Sequence, residues 1–131
     1  MRRLLLAALL LACGGPAEYA VVGTARAPGA DGTVQVEEIE GGNAMVNVAV
    51  DNLPPAERLG SELRIYAVWF IVNGQPPQKA GNLEYDPDAR TGRMMATTPH
   101  RQFTLKITAE SDGSVVSPSD VVIANRQIGD E

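Results

Sequence analysis

The chain has 131 residues, 44% apolar, 5% aromatic and 21% charged, with a formal net charge of −5. That is room for one domain of ordinary globular composition, which excludes a collagen-like, disordered or multi-pass membrane chain. A single cysteine excludes an internal disulfide framework and a cysteine-based zinc site.

The averages cover two unlike segments. Met1 to Ala12 holds two of the eleven basic residues and no acid, so the rest carries nine basic against sixteen acidic residues, a net of −7. Lysine occurs only at Lys79 and Lys106. An acidic chain without a basic stripe is not expected to bind nucleic acid or anionic lipid by charge.

Arg2 and Arg3 form a charged n-region, and Leu4 to Leu11 an apolar run of eight residues. Eight lies within the roughly 7–15 of a signal-peptide core and well short of the roughly 20 that span a bilayer. The run ends Leu10-Leu11-Ala12-Cys13-Gly14, with the only cysteine of the chain last but one. This resembles a bacterial lipobox. The resemblance implies a diacylglyceryl group on the Cys13 thiol, cleavage between Ala12 and Cys13, and acylation of the new amino group with a fatty acid such as palmitate. With Gly14 rather than aspartate next, it implies the outer membrane of a bacterial envelope. The alternatives are a secretory signal cut after Ala17, with Gly15 and Ala17 at the small-residue positions, and a buried N-terminal helix. The expected organisation is a signal-peptide helix over 1–12, a lipidated Cys13 with a short tether over 13–17, and one domain over 18–131. So short a tether keeps the domain, and any partner, at the same membrane.

The body reads as strands and turns. In chain order the candidates are Tyr19 to Ala25, Thr33 to Ile39, Ala44 to Val50, Ile65 to Val72, Lys79 to Tyr85, Arg93 to Thr97, Phe103 to Ala109 and Val121 to Ile128. Val46, Val48 and Val50 alternate with polar or small residues, as do Phe103, Leu105, Ile107 and Ala109, and a period of two is that of a half-buried strand. Ile65 to Val72 is apolar throughout, as in a central strand covered on both faces, with Trp69 as a core anchor. Asn73-Gly74 suggests a hairpin, widened by Pro76-Pro77, and Ala56 to Leu59 one short helical turn. The pattern predicts an all-β fold: a single antiparallel β-sandwich, Ig-like, of seven to eight strands, with a small barrel as the alternative.

From about residue 60 the chain resembles the extracytoplasmic domain of anti-sigma-K-type factors. The residues that carry this are Tyr66-Ala67-Val68-Trp69, Asn73-Gly74, Ala80-Gly81, Phe103-Thr104-Leu105-Lys106-Ile107-Thr108-Ala109-Glu110, and Pro118 ahead of Val121-Val122-Ile123. The resemblance implies an Ig-like sandwich outside the membrane. The cytoplasmic sigma-binding helices and the membrane span of that family are not recognisable here, so sigma-factor binding is not carried over.

Chemistry-bearing constellations are sparse. His100 is the only histidine, it follows Pro99 in a connection between strands, and no Gly-x-Ser-x-Gly elbow accompanies it. Glu37-Glu38-Ile39-Glu40 would place Glu38 and Glu40 on one strand face, an exposed strand end or a cation site. Asp86-Pro87-Asp88 has two carboxylates two apart, as calcium loops have, without the later ligands. Asp86 and Asp88 are the candidate metal ligands, against a turn with an Asp88–Arg90 or Asp86–Arg93 pairing. Met94, Met95 and Tyr85 are expected in the core rather than on a contact surface. No cofactor and no catalytic residue is expected. The function expected is a non-catalytic, lipid-anchored interaction module that contacts another envelope protein or the cell wall. The alternative is a small-ligand or calcium-binding lipoprotein that uses its strand-end loops.

Overall fold

A computed structural model describes residues 16–129; Met1 to Gly15, including Ala12 and Cys13, lie outside the described residues. Nine strands follow one another: β1 (Ala17–Val22), β2 (Asp31–Glu38), β3 (Ala44–Asp51), β4 (Ile65–Ile71), β5 (Gln78–Asn82), β6 (Glu84–Asp86), β7 (Thr91–Thr98), β8 (Phe103–Glu110) and β9 (Val122–Ile128). They form a five-stranded sheet, β1-β2-β3-β7-β6, and a four-stranded sheet, β5-β4-β8-β9. Every pairing is antiparallel. The fold is an all-β sandwich of Ig-like type with two separate sheets, not a closed barrel. The only helical elements among the described residues are two 3-10 turns, Glu40–Gly42 and Ala56–Arg58.

The alternating strands behave as their period requires. On β3, Val46, Val48 and Val50 are buried between the sheets and Met45, Asn47 and Ala49 face outward. On β8, Phe103, Leu105, Ile107 and Ala109 meet them from the other sheet. Phe70 and Phe103 pack as tilted rings 4.7 Å apart, a geometry that suits the aromatic quadrupole.

Nine strands form because Lys79 to Tyr85 is two strands rather than one. β5 pairs with β4 in one sheet, and β6 pairs with β7 in the other. The chain changes sheets at Leu83, which is buried in the core and donates its N–H to the Tyr66 carbonyl at 2.9 Å. The switch starts from a register shift opposite Val68 and Trp69, and such irregularities are where strands turn the corner of a sandwich.

β4 is central and buried on both faces, as its unbroken apolar run predicts. Its two faces are covered differently. Tyr66, Val68 and Phe70 enter the core between the sheets, whereas Ala67 and Trp69 are fully buried outside it. Trp69 is therefore not the anchor of the inter-sheet core. It lies on the outer face of the four-stranded sheet, under the loop that joins β8 to β9. That loop is fixed over β5 by Lys79 and Asn82, which both donate to the Gly113 carbonyl. It is fixed over β8 by Ser119, whose hydroxyl donates to the Ala109 carbonyl at 2.8 Å. Since β4 lies between β5 and β8, residues 114–118 cross it. At the start of this loop the Asp112 carboxylate accepts the Ser114 N–H at 2.8 Å and its hydroxyl at 2.9 Å, which holds Asp112 below the usual aspartate range.

Candidate functional site

The sandwich has two poles. The start of β1 shares one with the connections at 39–43, 72–77 and 99–102; the opposite pole carries 23–30, 52–64, 87–90 and the β8–β9 loop.

The second pole holds a recess beside two tyrosines. A cavity of about 500 Å³ is lined by Pro55, Glu57, Arg64, Tyr66, Tyr85 and Pro87, among others. Tyr66 and Tyr85 stand 6.0 Å apart at 54°. Each phenol satisfies a loop carbonyl: Tyr66 donates to Pro54 O, and Tyr85 donates to Leu53 O at 2.6 Å. The same segment is tied to the β6–β7 turn by Leu53 N–H to Arg90 O at 2.9 Å. Asn52 and Arg90 take positive φ values of 57° and 59° there. Left-handed backbone is common for asparagine and costly for arginine, so Arg90 is held there by its neighbours. Burial, then the neighbouring Tyr85 and Glu57, pushes the Tyr66 phenol well above the ordinary tyrosine range. Tyr85 is also raised, by burial, against an opposing pull from Arg90 and Arg58.

A raised phenol pKa is a statement about alkaline stability. Above about pH 10 the unfolded chain ionises Tyr66 while the folded chain does not, so this contribution is present below pH 10 and is lost as pH rises. The expected slope is about 1.4 kcal/mol per pH unit for this group. Tyr66→Phe removes that slope at a cost of about 1 kcal/mol at neutral pH, for the lost hydrogen bond to Pro54. Denaturant unfolding of both proteins between pH 8 and 11 checks this; parallel curves would show that Tyr66 does not carry the dependence.

The residues singled out in the sequence do not converge. Asp86 acts as a turn cap, its carboxylate accepting from the N–H groups of Asp88 at 3.0 Å and Ala89 at 3.3 Å. Neither Asp88–Arg90 nor Asp86–Arg93 forms; the one ion pair among the described residues joins Arg101 to Glu38. Among those residues no group of three His, Cys, Asp or Glu could hold a metal ion. Glu38 and Glu40 do not share a strand face. β2 ends at Glu38, and Glu40 opens the 3-10 turn made by Gly41 and Gly42 with φ of 82° and 81°. His100 lies in the β7–β8 connection, half-buried, with its backbone N–H donating to Thr98 Oγ1 at 3.2 Å. Met94 and Tyr85 pack against the core as expected, but Met95 is 62% exposed. Alternation on β7 requires this, because Met94 pairs with inward Val48 and Met95 with outward Asn47.

Reasoning from sequence missed one cluster. Trp69 Nε1 donates to Thr108 Oγ1 at 2.8 Å, and Thr108 Oγ1 donates to Glu110 Oε2 at 2.5 Å. Glu110 Oε2 also accepts the Ser119 N–H at 2.8 Å. Glu110 is only 4% exposed and Thr108 is fully buried. The outward position of Thr108 was visible as a period of two, but nothing local shows that a loop will cover it and Glu110. With Thr108 and Glu110 both buried, the arrangement reads as a clamp for the β8–β9 loop. No helix among the described residues is long and apolar enough to cross a membrane. In comparisons with protein-family models, curated proteins and solved structures, the chain finds no match.

Proposed function

We propose that this chain is a bacterial envelope lipoprotein, lipid-anchored at Cys13, whose Ig-like sandwich is a non-catalytic interaction module. The observation that carries the reading is the position of the only cysteine: directly after a basic n-region, a leucine-rich run of eight and Ala12. The fold is compatible with it. β1 begins at Ala17, so Gly14, Gly15 and Pro16 alone separate Cys13 from the sheet. At about 3.3–3.6 Å per residue that tether reaches about 15 Å. On this reading the pole with 39–43, 72–77 and 99–102 faces the bilayer. The loops 52–64 and 87–90 stand a strand's length further out, about 25 Å. Two or more acyl chains are what stable attachment requires, since one is marginal. An outer-membrane location is part of the proposal, on the residue Gly14, as is an Ig-like relationship to anti-sigma-K-type extracytoplasmic domains.

Metabolic labelling with a fatty acid tests the anchor. The wild type is expected to incorporate label and partition with membranes. Cys13→Ser is expected to lose all label. A labelled Cys13→Ser protein, or an unlabelled wild type, would remove the anchor from the reading and leave the secretory alternative cut after Ala17.

A further inference from the structure

The two outer faces of the sandwich are treated differently by the fold. The four-stranded sheet is crossed by the β8–β9 loop, and its cross-strand neighbours of Trp69 are Lys79 and Lys106, the only lysines of the chain. Among the described residues, no loop crosses the five-stranded sheet in this way. Register places its outward side chains in rows: Glu18, Gln35, Asn47 and Met95 in one, and Ala20, Thr33, Ala49, Arg93 and Glu84 in the next. The rows enclose a shallow trough of about 480 Å³ whose floor is Thr33, Asn47 and Ala49. Gln35, Asn47 and Arg93 make no side-chain hydrogen bond or ion pair among the described residues, although Glu84 is the cross-strand neighbour of Arg93. Carboxylates border the trough on the same face, at Glu18, Asp31, Glu37, Asp51 and Glu84, against the single cation Arg93.

We infer that this outer face of the five-stranded sheet is the docking surface of the module, and that its occupant is a lysine- and arginine-rich segment of another protein. The inference deepens the interaction-module reading and rests on it, but does not need the lipid. Charge selects the occupant. A bordering set of carboxylates steers and orients a cationic partner, while the neutral amides and hydroxyls of the floor take up its backbone and the exposed Met95 its apolar stems. A second copy of this chain docking by the same face would set carboxylate against carboxylate, which disfavours a symmetric dimer there. Stacking of sugar rings has no support, because no aromatic side chain is on this face.

The test uses the full chain. Photo-crosslinkers at Thr33 and Asn47 are compared with crosslinkers at Gln75 and Ser117, in cells and for two charge variants. Glu18→Lys with Glu37→Lys and Glu84→Lys reverses the face; Glu57→Lys with Glu62→Lys and Asp120→Lys changes net charge equally elsewhere. The expected result is crosslinking from Thr33 and Asn47 to a lysine- or arginine-rich peptide, reduced at least about tenfold by the face variant and less than about twofold by the control. Crosslinks from Gln75 or Ser117 alone, or equal loss in both variants, would overturn the face and leave the interaction module standing. No crosslink from any of the four positions would overturn both. In micelles, an unstructured Lys-Ser repeat peptide is expected to shift the amides of β1, β2, β3 and β7. Shifts spread equally over 52–64 and 111–121, or the same shifts produced by calcium alone, would also overturn the assignment.

Discussion

Trp69→Ala is expected to lower the unfolding free energy by about 3–5 kcal/mol, the range for emptying a buried aromatic site. The indole is fully buried, and removing it does two things. It opens a cavity between the sheet and the loop that crosses it, and it takes away the donor that points Thr108 toward Glu110. The loop is expected to loosen first between Gly113 and Ser119, because Val116 is 84% exposed and the ties at its two ends are hydrogen bonds at Gly113 and Ser119. Faster amide hydrogen exchange over 113–121, with β2 and β3 still protected, is the local signature. Unfolding is followed by circular dichroism, since the variant has lost its only tryptophan. A loss below about 1 kcal/mol would mean that the loop repacks and Trp69 is not its support. Val116→Ala serves as the control and is expected to stay within about 0.5 kcal/mol of wild type.

Gly32→Ala is expected to destabilise the chain by about 3 kcal/mol or more, although it adds one methyl group. A Cβ at Gly32 would lie 2.0 Å from the Ala49 carbonyl oxygen and 2.8 Å from Val50 Cα, both backbone atoms of the neighbouring strand. A side chain can rotate away from such a clash, but a paired strand cannot. The added carbon would force β2 from β3, where Gly32 opposes Val50. Gly29→Ala in the preceding turn meets nothing within 4 Å. It is expected to be neutral or slightly stabilising, because alanine restricts the unfolded chain. Thermal or denaturant unfolding of the pair decides the point; equal stabilities would show that the β2–β3 contact relaxes freely.

Strand existence was legible in the sequence because alternation is a local property. Val46, Val48 and Val50 on β3 and the odd residues of Phe103–Ala109 on β8 lie inward as their spacing requires. The turn at Asn73-Gly74, where Gly74 takes φ of 81°, and the short helical turn at Ala56 were likewise written in a few adjacent residues. The division of Lys79 to Tyr85 into β5 and β6 was not. It depends on Leu83 finding the core between two sheets, which is a contact with Tyr66, seventeen positions earlier in the chain. The site residues fared in the same way. Asp86 and Asp88 have ligand-like spacing, yet the Asp86 carboxylate is turned to two backbone N–H groups of its own loop. The clamp of Trp69, Thr108, Glu110 and Ser119 joins residues up to fifty positions apart, so no window of sequence contains it.

By itself, then, the sequence determined the all-β class and, on β3 and β8, the inward or outward sense of the alternating residues. It also set the composition of Met1 to Ala12 apart from that of the rest. These follow from covalent chain order and from side chains that alternate across a pleated backbone. Only the tertiary structure decided which outward faces are covered. Trp69 sits beneath a loop, while among the described residues no loop crosses Asn47 and Arg93 on the opposite sheet. Burial belongs to the whole packed arrangement, since a residue leaves water only when a distant part of the chain arrives to cover it.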